Sequence, residues 1–262
     1  MDEKKTQDLC VTVAERVKDA LSKGNDEEAL RLIPALAREY TNRNKNQVRV
    51  ITSFVLPLVQ ERFIEDQKRL AARVSEAVQR GDRAEAIALI NTKTRRHMTI
   101  HDLCVDFIAD CAGYAYDSFG REALFEMWRR WGEGTREWFR EKSQISRDDL
   151  VEAATMINRE HIGPIRIEQG KNSMRIILEP CGSGGRRLER ERKGESGRAG
   201  VSAAVPEAIP LEVGAREQMP VYCTHCPVLF ETYCRELNGR PLWQVNPPQK
   251  AGDTCVIEIF DI

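Results

Sequence analysis

Hydrophobic residues in the first half of the chain recur at spacings of three and four, which is the period of an amphipathic helix. The segment that begins at Val13 has Val17 and Leu21 on the same face, and no proline precedes Pro34. After His161 the pattern changes to the short runs IGPIRIE and SMRIILEP, which predict two strands joined by a tight turn. The pattern therefore predicts a mainly α fold followed by a small α+β module.

The helical half contains an internal repeat. Segment 13–33 matches segment 70–90 at nine of 21 positions, with an offset of 57 residues. Each copy carries a glycine, Gly24 or Gly81, where the end of a helix favours a left-handed residue. We therefore expect duplicated antiparallel helical units that stack on each other.

The domain organisation follows from these changes of pattern. Residues 182–219 are rich in Gly, Arg, Glu and Ala and have little apolar periodicity, which is typical of a mobile segment. A cysteine-rich segment and a closing strand, CVIEIFDI, come after it. The predicted boundaries are a helical domain at 1–160 with copies at about 13–69 and 70–126, then a small α+β zinc module at 161–262 with a mobile loop at 186–219.

Composition narrows the choice of partners. The 262 residues include 40 Lys and Arg against 41 Asp and Glu, so the net charge of −1 gives no field that attracts nucleic acid or an anionic membrane. No apolar run is long enough to span a membrane, and the N-terminal MDEKKTQDL lacks the apolar core of a signal peptide. We expect a cytoplasmic protein with a small-molecule substrate and with neither nucleic acid nor membrane as a partner.

The cysteines form the strongest local motif. Eight cysteines in a reducing compartment are more typical of thiols or metal ligands than of disulfides. The spacing Cys223-Thr-His-Cys226 lets a tight turn direct two sulfurs at one zinc ion. Cys181 is a third candidate ligand and Cys255 or His225 a fourth, with Cys234 also open. A buried thiol pair without metal and a redox dithiol are the alternatives.

A glycine-rich turn follows Cys181. In Pro180-Cys-Gly-Ser-Gly-Gly-Arg186, backbone N–H groups near Gly184 and Gly185 can converge on an anion beside the Arg186 guanidinium. These residues are candidates for substrate binding. The alternative is a flexible exit into the loop.

A histidine pair marks the second helical copy. His97 and His101 share a helix face, and Asp102 follows directly, whereas the equivalent positions of the first copy carry neither histidine nor aspartate. Because the first copy packs without these groups, the cluster indicates an acid–base site. The alternative is an exposed histidine beside a helix-capping aspartate.

Aromatic residues concentrate between 114 and 138. Trp128 and Tyr114 are candidates for the wall of a substrate site, and core packing is the alternative explanation for them.

The order of these motifs is similar to that in a group of uncharacterised bacterial proteins, over roughly 95–262. The closing pattern Gly252-Asp-Thr-Cys255, followed by a strand, also resembles the 2-aminothiazoline-4-carboxylate hydrolase-like family. That resemblance implies opening of a small sulfur–nitrogen heterocycle. The two-copy helical region and the loop at 186–219 depart from the family, so this substrate is not carried over.

Together the motifs favour a zinc-dependent hydrolase or lyase of a small organic molecule. The cysteine-bound metal would polarise a carbonyl or a water, while His101 with Asp102 would move a proton. The alternative is a non-catalytic helical protein that binds a partner and is stapled by a structural zinc site. A catalytic zinc keeps one coordination position open for water or substrate, whereas a structural zinc does not.

Overall fold

The fold is mainly helical and carries a small antiparallel sheet, which confirms the coarse prediction from the hydrophobic pattern. The computed structural model describes residues 10–52, 57–195, 204–205, 209–210, 215–216 and 218–260.

Helices dominate the described part of the first 160 residues, and two shorter ones lie between residues 184 and 238. The α-helices of the described residues are α1 (Val13–Ser22), α2 (Asp26–Thr52), α3 (Pro57–Gln79), α4 (Arg83–Gly134), α5 (Arg136–Lys142), α6 (Arg147–Glu160), α7 (Gly184–Arg192) and α8 (Cys234–Asn238). A 3₁₀ helix (Val221–Thr224) and a π-helix (Pro227–Tyr233) precede α8. The long helix α4 consists of two segments that meet at Gly120, where φ is 81°.

The two predicted helix–turn–helix connections have the same geometry. Gly24 and Gly81 adopt left-handed φ values of 73° and 75°. The residue after each glycine, Asn25 or Asp82, donates its N–H to the carbonyl five residues earlier, at 2.9 and 2.8 Å. The side chains of Asn25 and Asp82 then accept the N–H three residues later, at 3.2 and 2.9 Å. In both places a left-handed glycine ends one helix and the polar residue after it caps the next, which turns the chain.

Equivalent positions of the two segments are buried in one core. The buried residues of one segment lie 57 positions before those of the other, because the two segments share the residue types on their packed faces. These residues are Val17, Ala20, Leu21, Ala29 and Ile33 in the first segment and Val74, Ala77, Val78, Ala86 and Ile90 in the second.

The sheet begins where the sequence pattern changes. Its strands are β1 (Ile165–Gln169), β2 (Ser173–Leu178), β7 (Gln244–Asn246) and β8 (Cys255–Phe260). All neighbours are antiparallel, in the order β1-β2-β8-β7, and Leu178 lies opposite Cys255. Two further antiparallel pairs join β3 (Ala204–Val205) to β6 (Met219–Pro220) and β4 (Ile209–Pro210) to β5 (Ala215–Arg216).

The start of the glycine- and arginine-rich segment is helical. Helix α7 covers residues 184–192, so the mobile loop expected from residue 186 does not begin there. Because this helix has almost no apolar face, ion pairs fix its position. Arg190 binds Asp106 of α4 in a bidentate ion pair at 2.7 and 3.0 Å. Arg187, which is almost fully buried, pairs with Glu191 at 2.8 Å. Most of the remaining expected loop lies outside the described residues.

The chain divides into two compact units. We call them the larger and the smaller unit. The larger unit comprises Met1–Cys10, Val105–Arg159 and Gly163–Ile262, and the smaller unit comprises Val11–Cys104 and Glu160–Ile162. The division passes through α4, whereas the sequence pattern predicts a domain boundary near residue 160.

Candidate functional site

Four cysteines of the larger unit are brought together around the turn between β2 and α7. Cys181 lies in that turn, three residues after the end of β2, and Cys255 opens β8, which pairs with β2. Cys223 lies in the 3₁₀ helix and Cys226 directly before the π-helix. We call Cys181, Cys223, Cys226 and Cys255 the thiol cluster.

Cys181 is the member of the cluster that is stabilised as a thiolate. Its sulfur lies 3.3 Å from the Ser183 hydroxyl oxygen. The pKa of Cys181 lies well below its ordinary value because the Cys255 thiol hydrogen-bonds to its sulfur, and the Ser183 hydroxyl and the backbone N–H groups of Ser183 and Gly185 add to this effect. The pKa of Cys255 is raised in turn, since Cys255 is the donor of that bond. The glycine-rich turn thus holds the negative charge of a sulfur.

The other two thiols are held neutral. Burial raises the pKa of Cys223, and the neighbouring charge of Cys181 raises it further. Burial likewise raises the pKa of Cys226, with Cys181 and Cys223 contributing in the same direction. Within the cluster the pKa of Cys181 is therefore lowered, whereas the pKa values of the other three cysteines are raised.

His225 lies beside the cluster and is neutral. Burial lowers its pKa, and its Nδ1 donates to the Tyr222 carbonyl at 2.5 Å. Its Nε2 therefore accepts from the Cys226 thiol, at 3.2 Å. The imidazole stacks on Trp131, with ring centroids 5.8 Å apart and planes at 15°.

The glycines of the turn allow close packing as well as N–H donation. A Cβ on Gly184 would lie 2.5 Å from the Cys223 sulfur, so a side chain there requires Cys223 or the start of α7 to shift. A Cβ on Gly185 would lie 3.2 Å from Pro180. Arg186, the expected anion-binding group, donates its backbone N–H to the Cys181 carbonyl at 2.8 Å.

The aromatic candidates occupy different environments. Trp128 is 1% exposed, and its indole N–H donates to the Thr224 hydroxyl at 2.8 Å, so it is a core residue. Tyr114 is 65% exposed and meets Phe119 edge to face, with ring centroids 5.8 Å apart.

The histidines of the smaller unit form a chain that includes a residue absent from the predicted site. His101 Nδ1 lies 3.0 Å from an Asp102 carboxylate oxygen, and His101 Nε2 lies 2.7 Å from His161 Nδ1. His97 is buried, with its Nε2 3.5 Å from Gln67 Nε2. His161 is 60 residues from His101 in sequence, so no local pattern connects them.

The predicted metal ligands and the predicted acid–base pair belong to different units. The thiol cluster and His225 lie in the larger unit, and His97, His101 and Asp102 lie in the smaller one. A joint site therefore stays a prediction. Within the described residues, no group of three or more His, Cys, Asp or Glu side chains is already arranged to hold a metal ion.

Comparison of the chain with known proteins gives no assignment. It matches no family model, no curated protein and no solved structure. None of the helices in the described part of the chain has the length and apolar character needed to cross a membrane.

Proposed function

We propose that the thiol cluster binds one zinc ion and that this ion staples the larger unit together. The observation that carries the proposal is the placement of Cys181, which is buried beside three other cysteines and whose pKa is lowered by hydrogen bonds from Cys255 and from the glycine-rich turn. A buried thiolate is costly unless a cation or hydrogen bonds offset its charge. A dication offsets it best.

The donor chemistry fits zinc. Sulfur is a preferred zinc ligand, and the Cys-x-x-Cys turn supplies two of the four sulfurs. Binding would release the protons of Cys223, Cys226 and Cys255, whose pKa values are raised in the metal-free protein. Because the side chains are not yet arranged around one point, binding also requires them to turn about their Cα–Cβ bonds.

Enclosure of the sulfurs favours a structural role for the metal. Four cysteine ligands saturate a tetrahedral ion, and a saturated ion has no position for water or substrate. The geometry thus supports a structural metal better than a catalytic one. A partner-binding role agrees with the apolar side chains that α4 exposes in the larger unit, namely Phe107, Tyr114 and Phe119.

Metal analysis of the full-length protein tests this proposal. We expect about one zinc per chain, and after cobalt substitution a tetrahedral thiolate spectrum that added small ligands do not change. Cys223→Ser should lose the metal, and Cys111→Ser is the matched control because Cys111 is exposed. A protein purified without metal that takes up neither zinc nor cobalt would contradict the proposal.

A second candidate is an acid–base enzyme of the hydrolase or lyase type acting on a small organic molecule. The chain formed by Asp102, His101 and His161 favours it, because such a chain moves protons and is not needed to pack two helices. If this reading is correct, removal of zinc should affect stability more than turnover. Equal loss of stability and turnover would indicate that the metal takes part in the reaction.

We also propose that the helical half arose by duplication. Asp26 and Arg83 are equivalent positions under the offset of 57, and they bind each other through two bonds of 2.9 and 3.1 Å. Contact between equivalent positions is what a two-fold arrangement of two copies produces.

A further inference from the structure

We propose that the outward face of α4 in the larger unit docks a basic amphipathic helix of a partner protein. The face carries Phe107, Cys111, Tyr114 and Phe119, which we call the apolar stripe. All four side chains are exposed, Phe107 to 49% and Tyr114 and Phe119 to 65% each. The inference rests on the partner-binding role proposed above and names the chemistry of that partner.

The apolar stripe is a second hydrophobic face of this helix. Residues 107, 111 and 114 are spaced by four and three positions and therefore project from one side, and Phe119 meets the Tyr114 ring edge to face. The opposite side, with Ala109 and Ala112, is already buried in the core. A helix that packs by one face ordinarily turns polar side chains to water on the other. Exposed apolar side chains that lie together in this way mark an interaction surface.

The charge beside the apolar stripe has a single sign. Residues 105–120 contain three aspartates, at 106, 110 and 117, and neither lysine nor arginine. These positions are four and seven residues apart, so the three carboxylates form a row along one flank of the stripe. Asp117 is exposed. A partner that covers the stripe therefore meets negative charge along one edge, which lysine and arginine complement.

The chain itself shows what this row binds. Asp106 receives two hydrogen bonds from Arg190 of α7, at 2.7 and 3.0 Å, and Arg187 of the same helix approaches it at 3.5 Å. An arginine-bearing helix is thus already held against α4 by the first aspartate of the row. Asp117 extends the row along the stripe, where a second basic helix can be held in the same way.

The size of the apolar stripe fits one helix. With about 200 Å² for an aromatic side chain, its three rings expose roughly 350 Å². A standard interface between two folded proteins buries about 800 Å² on each side, whereas an amphipathic helix needs only a few apolar anchors. A second copy of this chain fits less well, because it brings the same three aspartates and no basic side chain from this stretch to neutralise them.

Fluorescence anisotropy of the full-length, zinc-loaded protein with labelled peptides tests the proposal. Three helical peptides of about 20 residues are compared. The first has leucines at three–four spacing with lysine and arginine on the flanks, the second has glutamate at those flank positions, and the third has the composition of the first in scrambled order. We expect the first to bind at least about tenfold more tightly than the other two at about 50 mM salt, and its advantage over the second to shrink as salt screens the charges.

Substitutions locate the binding surface. Tyr114→Lys should weaken binding of the basic peptide at least about tenfold, because it places a charge in the apolar stripe and repels the peptide. Met156→Lys is the matched control, since Met156 is an exposed apolar residue on α6 of the same unit. Asp117→Lys should reduce the preference for the basic over the acidic peptide, and Glu195→Lys, at another exposed carboxylate, should not. Circular dichroism and zinc content should be unchanged in all four variants.

Four outcomes would overturn the docking surface. They are no binding of the basic peptide, equal binding of the basic and acidic peptides, a Tyr114→Lys variant that binds like Met156→Lys, and a wild-type dimer in sedimentation velocity that Tyr114→Lys dissociates. The last result would mean that a second copy covers the stripe. Zinc content is measured separately, so a protein that holds zinc and ignores the peptide refutes only the docking surface. A protein that binds the peptide without taking up zinc refutes only the zinc proposal.

Discussion

Gly184 is the position where one added methyl group should disturb the thiol cluster most. It begins α7, and a Cβ placed on it would lie 2.5 Å from the Cys223 sulfur and 3.4 Å from the Tyr222 ring. Non-bonded heavy atoms prefer separations of about 3.5 to 4.0 Å. Gly184→Ala therefore forces the Cys223 side chain or the start of α7 to move by about 1 Å.

The cost follows from the tightness of the site. Adding a methyl group to a well-packed core typically costs about 1–3 kcal/mol. Alanine also lowers the entropy of the unfolded chain, which returns about 0.4–1 kcal/mol where the backbone accepts it. We expect a net loss of about 1–2 kcal/mol in the free energy of unfolding. Displacement of one ligand sulfur should also weaken zinc binding by about tenfold or more.

Urea denaturation of the metal-free and zinc-loaded forms measures both effects. Gly134→Ala is the matched control, because Gly134 ends α4, is exposed, and has no atom within 4 Å of the position of its Cβ. The control should leave stability unchanged or raise it slightly. If Gly184→Ala unfolds like the control and binds zinc with wild-type affinity, the close approach of α7 to Cys223 is wrong.

Three further perturbations test other parts of the structure by urea denaturation. Asp26→Arg and Arg83→Asp should each lower the free energy of unfolding slightly, since the pair is partly exposed, and the double replacement should restore it. Trp128→Phe should cost about 1–3 kcal/mol, because it leaves a gap and removes the donor to the buried Thr224 hydroxyl. Burial lowers the pKa of His225, so below about pH 6.5 the unfolded state binds more protons than the folded state. Metal-free protein should therefore lose up to about 1.4 kcal/mol per pH unit as the pH falls, and His225→Gln should remove this dependence.

Each of these has a clear contrary result. An additive double replacement at 26 and 83 would show that the two side chains do not interact. A Trp128→Phe variant as stable as wild type would place the indole at the surface. An unchanged pH dependence in His225→Gln would mean that another group titrates.

Local periodicity determined the helical part of this protein. The turns at Gly24 and Gly81 were predictable because a left-handed glycine followed by a polar cap is encoded within a few residues. The same is true of β1, β2 and β8, whose short apolar runs are bounded by turn residues. Such signals depend only on neighbours in sequence, so they can be recognised without knowledge of the fold.

The helix α7 was not predictable in this way. Its sequence, GGRRLERER, has almost no apolar face, and the residues that hold it lie elsewhere in the chain. Asp106, on α4, binds Arg190 and approaches Arg187 at 3.5 Å. Ion pairs between residues some 80 positions apart produce no periodic pattern in the sequence.

The site shows the same division between sequence and tertiary structure. The residue types of the thiol cluster and of the His101–Asp102 pair were evident from spacing. Only the fold decided that Cys255 and the glycine-rich turn together lower the pKa of Cys181, and that His161 lies next to His101. The reason is physical: a sulfur or an imidazole acquires its charge state from the groups that surround it, and those groups are brought together by packing.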